Sequence, residues 1–363
     1  MYAVLLFASA LPAAQAGDAL PKPKTTALLQ AWVTAWDQDE DPITDPAAYG
    51  DPEDDPGLKL RRARLGIRSD GEGPLSYELT FGTSAPYDAV LGNGNPDVGI
   101  VDAYAGYEIV EGLTVTGGVL KVPASRDWLI STADHPFGER SVGAQWVAPG
   151  RDTGLMLDGR FGKKDGLRGR MRAGVFNGNG FTAGNFASFG DDNPGKLVAV
   201  RAEGAYGPGN VYKTFGKVDG FTLSVAGDFW SNHDLGTRTV GYGGDMLMRV
   251  AGLSLMVEAH VATLTPSNSD IVVPGVLADT PRLGTVALLG YSVGRFEPVV
   301  GFSTFDDHRS LDDNGDVAIG QGGVIWHGKD DQLRAGAAYI TRQELNGSAL
   351  QNDSARLWLQ FSI

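Results

Sequence analysis

Cysteine is missing from all 363 residues. Its absence excludes disulfide scaffolds, zinc–thiolate and iron–sulfur sites, and thiol nucleophiles together. Histidine is scarce, with five residues, which leaves little material for a histidine-based metal site. Long apolar runs are missing as well. None approaches the roughly twenty residues that a transmembrane helix needs. Basic charge is outnumbered, 30 Lys and Arg against 44 Asp and Glu, for a formal net charge of −14. That balance disfavours nucleic acid, whose phosphate backbone would be repelled. Helical periodicity is hard to find. What is abundant is glycine, 51 residues without a collagen period.

The first sixteen residues, MYAVLLFASALPAAQA, are uncharged, largely apolar and small. They end in Ala14-Gln15-Ala16, a small-x-small pattern before Gly17. Residues 1–16 therefore read as a signal peptide for export, leaving 17–363 as the mature chain; a buried N-terminal helix is the alternative.

The mature chain is built of short segments in which apolar and polar residues alternate, separated by Gly, Asp, Asn and Pro. Leu357, Leu359, Phe361 and Ile363 share one face at the C-terminus, and Arg356, Gln360 and Ser362 the other. Met171, Ala173 and Val175 oppose Arg168, Arg170 and Arg172; Val198 and Val200 oppose Arg201 and Glu203. Period two predicts strands with one apolar and one charged face. Such strands fit a soluble sandwich or a membrane barrel with lipid outside and water inside.

Connection lengths separate the two. About sixteen strands are expected. Tight turns fall at 69–73, 111–112, 162–166, 251–252, 294–295 and 328–330, and between them lie long connections at 39–56, 87–97, 124–150, 179–195, 266–281, 307–316 and 343–353. Alternation of long and short connections is the pattern of an outer-membrane meander, with the long loops outside and the chain end in the periplasm. Two places break it: 207–220 is long for a turn and 233–237 is short for a loop. The expected fold is an all-β, antiparallel transmembrane barrel, and sixteen strands enclose an aqueous channel.

Six motifs in order carry a resemblance. They are Leu58-Lys-Leu-Arg-Arg-Ala-Arg-Leu-Gly66, Val101-Asp-Ala-Tyr104, Gly118-Val-Leu-Lys-Val-Pro123, Arg151-Asp-Thr-Gly-Leu-Met156, Gly174-Val-Phe-Asn-Gly178 and the closing Leu357-Trp-Leu-Gln-Phe-Ser-Ile363. Together they resemble the phosphate-selective porin O and P family of Gram-negative outer membranes, most closely over 57–180 and at the terminus. The resemblance implies a sixteen-stranded barrel, commonly a homotrimer, with the third loop folded inward as a constriction. Two features depart from the family: the last residue is Ile rather than Phe, and the chain is acidic where anion-selective members rely on Lys and Arg.

A charged side chain facing lipid at mid-membrane costs about 2–4 kcal/mol, so charged faces are expected to turn inward. This places Arg62, Arg64, Arg68, Arg160, Arg168, Arg170, Arg172, Arg201, Arg249 and Arg334 in the lumen, with Glu78, Asp102, Asp158, Glu203, Asp245, Glu258 and Glu297. The arginines either guide solute or stiffen the wall through ion pairs; their planar fork suits phosphate and carboxylate. Nine carboxylates between Asp37 and Asp55 dominate the net charge from in or beside the acidic first loop, 39–56, so the total does not describe the pore. That loop is either solvated or a divalent-cation binder. For the constriction loop, 124–150, Arg126, Asp127, Asp134, His135, Glu139 and Arg140 are the candidates; a loop packed on the rim is the alternative. Lys121 has lipid-facing parity and is expected at the rim. Trp32, Trp36, Phe229 and Trp230 are expected in interfacial girdles or at a subunit contact.

Weaker signals add little. Asp312–Asp316 suggests calcium but lacks the EF-hand glycine and glutamate, and an Asx-rich turn accounts for it. Ser254, Glu258 and His260 share a face, but strand rise puts the serine too far from the imidazole for catalysis. The expected function is a porin for passive diffusion of small hydrophilic solutes or inorganic ions, anions such as phosphate among them, needing no cofactor. A barrel with a structural or adhesive loop role, or a barrel hydrolase, is the alternative.

Overall fold

Alternation with period two makes each of these segments a strand, because successive side chains leave opposite faces of the pleat. In the computed structural model the described residues are 21–38, 57–69, 71–83, 98–163, 165–178, 195–216, 218, 220–268, 276, 278–312, 315–346 and 352–363. Segment 1–16, expected as a signal peptide, the first loop 39–56, the loop 87–97 and all but the last residue of 179–195 lie outside them. The strands are β1 (Pro23–Gln38), β2 (Gly57–Ser69), β3 (Leu75–Thr83), β4 (Val98–Val110), β5 (Leu113–Lys121), β6 (Arg151–Gly162), β7 (Arg168–Phe176) and β8 (Leu197–Tyr206). There follow β9 (Phe221–His233), β10 (Thr237–Val250), β11 (Leu253–Pro266), β12 (Thr280–Tyr291), β13 (Phe296–Asp306), β14 (Val317–His327), β15 (Leu333–Glu344) and β16 (Asn352–Ser362).

Each strand pairs antiparallel with its chain neighbours, and β1 closes the barrel on β16 with Trp32 opposite Trp358. Closure removes every sheet edge, which lipid would not tolerate. The outer face carries Leu29, Leu65, Leu155, Val175, Val200, Phe229, Val300 and Leu359, all exposed. No helix among the described residues is long and apolar enough to cross a membrane; the crossing is made by strands.

Local backbone features modify simple parity. Between Gln30 and Ala31 the β1–β2 register shifts, so that Arg62 pairs with Gln30 and Leu60 with Ala31. Arg61 is the extra residue of this bulge, and both Arg61 and Arg62 turn inward to Glu139. In β5, Gly118 adopts φ 128, and a Cβ there would lie 2.1 Å from the Ala103 carbonyl oxygen. Beyond it Lys121 lies in the lumen, its Nζ donating to Leu129 O at 2.9 Å and Ile130 O at 2.8 Å. The rim position expected for Lys121 is thereby corrected. So is the girdle placement of Trp32 and Trp230, which are buried on the inner side, whereas Phe229 faces outward and the Trp36 side chain is not described.

The inner face is not uniformly polar either. Leu247, Met256, Val286, Leu288, Val299, Phe305, Ile319 and Ile325 point inward from β10 to β14 and are buried. Their sequence neighbours are often apolar too, as in Val286-Ala-Leu-Leu289, which is the mark of a strand buried on both faces. What covers them inside the barrel is the third loop and the β8–β9 connection.

Candidate functional site

The third long loop, 122–150, folds into the lumen because it carries its own apolar side. Trp128, Ile130, Phe137, Val142, Ala144 and Val147 are buried with the inner patch of β10–β14. The loop holds two single-turn helices, α1 (Arg126–Leu129) and α2 (Val142–Gln145). A Cβ on Gly143 would lie 2.3 Å from Thr285 O and 2.6 Å from Thr304 O, so α2 lies directly against the β12–β13 backbone. α1 is fixed by charge. Arg126 donates to Asp245 at 2.6 Å, Val211 O at 2.5 Å, Ser224 at 2.9 Å and Glu203 at 3.3 Å. Arg201 pairs with Asp228 at 2.8 Å and Asp245 at 2.6 Å. Both ring nitrogens of His260 face carboxylates, Asp228 at 2.9 Å and Glu258 at 3.2 Å. Ser125, held at φ 53, donates its hydroxyl to Glu258 and accepts from Trp128 N. The serine that reaches this network therefore meets a carboxylate and not the imidazole.

Inside the loop, Asp127 accepts from Ser141 N at 3.0 Å. Burial and the nearby Glu258 push its carboxyl up to about 7. His135 donates Nε2 to the Asp127 carbonyl at 3.0 Å, and burial lowers it to about 3, so the ring is neutral. Burial alone would raise Glu139, but the Arg61 and Arg62 guanidinium groups outweigh it and hold the carboxyl well below its usual range. Arg140 stacks 4.2 Å from the Trp128 ring centroid, and burial together with Arg151 lowers it to about 9.

On the opposite side of the lumen a cavity of about 810 Å³ runs from the periplasmic turns up to the third loop. Its walls come from β1 to β7 and the end of β16, and include Arg68, Glu78, Tyr104, Arg160, Arg170 and Arg172. Arg64, Lys121 and Arg151 form its upper end, under Leu129 and Ser131. Arg64 donates to Thr132 at 3.0 Å, and Arg151 makes a two-point pair with Asp102 at 2.9 and 3.0 Å. These cations and Arg140 lie within electrostatic reach of one another. Five of their buried nitrogens have no acceptor among the described residues: Nε and Nη2 of Arg64, Nε and Nη2 of Arg140, and Nη1 of Arg151.

All the expected inward arginines are inside the barrel, but they divide into three groups. Arg64, Arg68, Arg160, Arg170 and Arg172 border the cavity. Arg62, Arg126 and Arg201, with Asp127 and His135, are sealed among their partners. Arg168 and Arg249 hold backbone carbonyls of the β8–β9 connection, and Arg334 pairs with Asp134 at 3.1 Å. Sequence reasoning missed Arg61, which a bulge turns inward, and placed Lys121 at the rim, whereas its long stem at the end of β5 carries Nζ to the third-loop carbonyls. It gave no role to Tyr212, whose only signal was the excess length of 207–220. No group of three potential metal ligands occurs among the described residues, and Asp316 accepts from Asn346 at 2.6 Å.

The model of one protein family, phosphate-selective porin O and P, matches residues 42–242, more than half of the chain. The chain belongs to this family. As a porin it is an outer-membrane channel for passive diffusion. No curated protein sequence matches it. Among solved structures, an anion-selective porin from Comamonas acidovorans superposes with a TM-score of 0.59 at 12% identity, covering 94% of this chain and 99% of the other. OmpF of Salmonella typhi, in complex with daunomycin, gives 0.59 at 14% identity, with 94% and 98% covered. OmpT of Vibrio cholerae, an outer membrane protein in its trimer form, gives 0.58 at 10% identity, with 95% and 100% covered. At such identities the likeness is one of fold.

Proposed function

We propose that this porin prefers anions and passes them along the β1–β7 side of its lumen. The observation that carries the reading is the cluster of Arg64, Arg151 and Lys121 at the cavity, with Arg140 in electrostatic reach, in which five buried guanidinium nitrogens lack an acceptor among the described residues. A buried donor left unpaired costs about 1–3 kcal/mol, so the site is built for an acceptor that comes from solution. A small oxyanion or halide supplies one, and guanidinium edges bind it with charge assistance. Arg62, Arg126 and Arg201 are wall-stiffening groups on this reading, and Arg68, Arg168, Arg170 and Arg172 belong to the periplasmic half. The net −14 does not oppose it, because the constriction and not the total charge sets ion preference.

The finer features follow the same reading. Residues 1–16 direct export and are removed. Three copies assemble, as in the trimer form of the Vibrio cholerae protein. The channel performs no chemistry and takes no cofactor; the Ser125–Glu258–His260–Asp228 chain anchors the third loop. The test is the reversal potential of the refolded protein in a planar bilayer under a KCl gradient, repeated with added phosphate. The expected potential lies toward the chloride equilibrium value, with phosphate reducing the chloride current. A cation-preferring or silent channel would overturn the reading.

A further inference from the structure

Short turns join the other strand pairs at the periplasmic end, but β8 and β9 are separated by residues 207–220. The described part of this segment enters the barrel instead of leaving it. Arg168 holds the carbonyls of Gly207 and Gly209, the latter at 2.8 Å. Gly209 N donates to Thr222 at 2.9 Å. Arg249 donates to the carbonyls of Lys213 at 2.8 Å, Phe215 at 3.1 Å and Gly216. Gly216 N meets both oxygens of Glu297 at 3.0 Å, and Lys213 pairs with Asp331 at 2.8 Å. Phe215 is buried against Gly290, and Val211 O receives Arg126 from the third loop. The segment is therefore a fixed ridge, tied to β7, β9, β10, β13, the β14–β15 turn and loop α1 at once.

One side chain of the ridge stands at the cavity edge. Tyr212 lines the cavity with Asn210. Its ring gathers the guanidinium groups of Arg126, Arg170 and Arg172 at 5.6, 5.7 and 5.3 Å. Its hydroxyl accepts from Arg172 and donates to Glu203 at 2.8 Å. Arg170 also donates Nε and Nη2 to Asp158 at 2.8 and 2.6 Å, so the aromatic face and this carboxylate fix the guanidinium groups at the cavity edge. We propose that residues 207–216 form a second selectivity element of the pore, periplasmic to the third loop and in series with it, where Tyr212 and the guanidinium groups of Arg170 and Arg172 meet the passing anion. The inference rests on the anion-pore reading above. Solute leaving the Arg64–Arg151 cluster enters the cavity of which this edge is one wall, with Arg170, Arg172, Asn210 and Tyr212 along it.

The absence of cysteine makes the test direct, since one introduced thiol is unique. Asn210→Cys places it on the exposed cavity edge, and an anionic methanethiosulfonate reagent is added to both chambers of the bilayer. Tyr212→Ala is measured in parallel, with folding checked by heat-modifiable gel mobility. The expected results are a stepwise fall in current on labelling, and for Tyr212→Ala a conductance raised about twofold with a lower chloride-to-potassium permeability ratio. An anion-preferring wild type whose current is unaffected by both changes would overturn the second element and leave the anion pore standing. A wild type that is silent or prefers cations would remove the reading beneath it, and the inference with it.

Discussion

Asp127 and Arg140 show how single residues of the third loop set the field around it. The Asp127 carboxyl is raised to about 7, by burial first and Glu258 second, whereas Ser141 and the Arg140 charge pull the other way. His135 stays neutral beside it, its Nδ1 3.5 Å from Asp127 Oδ1 and free to accept the carboxyl proton in a hydrogen bond. As pH falls through about 7, Asp127 becomes neutral and no longer offsets Arg140, so anion preference is predicted to strengthen. Reversal potentials recorded from pH 8 to pH 6 check this, and Asp127→Asn should flatten the dependence. The linkage sign is fixed as well. A raised carboxyl favours the folded state fully below its unfolded value, and that contribution is lost as pH climbs to the folded one. Glu139, lowered by Arg61 and Arg62, works in the opposite sense, and its contribution is lost in acid. At this scale the sequence was only half readable. Alternation points Arg64, Arg170 and Arg172 inward, and they border the cavity, but parity cannot register the bulge at Arg61, which is a backbone event.

At the scale of elements, the third loop is an inserted core and not a flap. Its apolar side seals the β10–β14 patch, and its helix α1 is tied by Arg126, Ser125 and Asp127 N to acids on four strands. Removing one partner of a buried charge pair costs about 3–5 kcal/mol, because the other charge is left behind. Glu258→Gln is therefore predicted to lower the thermal transition of the folded barrel and to add current noise, as His260 loses a charged partner and one of the two oxygens that accept from Ser125 and Asp127 N becomes a donor. Gly143→Ala acts on the other helix, where the added methyl would meet Thr285 and Thr304 backbone atoms. Limited proteolysis should then cut the loop at concentrations of protease that spare the wild type. Loop 124–150 was recognisable by its length and by the motifs at either end. Its docking was less so: the apolar runs Met246-Leu-Met248 and Val286-Ala-Leu-Leu289 were evident, but alternation suggested only that one face met lipid.

Over the whole molecule, one chemical rule accounts for most of the architecture. Backbone groups in lipid require closure, apolar residues face out, and charge is confined to the lumen. Val200 and Arg201 express the rule in adjacent positions of β8, one exposed outward and one buried inward. Val200→Arg is predicted to cost about 2–4 kcal/mol of folding free energy, read from denaturant titration in lipid vesicles, without altering ion preference. The number of strands and the order of long and short connections were legible throughout, because turn residues punctuate a period-two pattern. The unequal filling of the lumen was not, since it depends on which loops return inside. The excess length of 207–220 was the one visible sign of it.

Ion preference is set by Arg64 at the cavity wall and by Arg140, buried on Trp128 within its electrostatic reach. The measurement that tests it most directly is the zero-current potential under a KCl gradient, comparing wild type with the double variant Arg64→Gln and Arg140→Gln. Each substitution keeps a polar side chain and removes one charge. The account predicts an anion-directed potential in the wild type that moves toward zero or reverses in the double variant, at similar conductance. An unchanged potential in a folded double variant would contradict it.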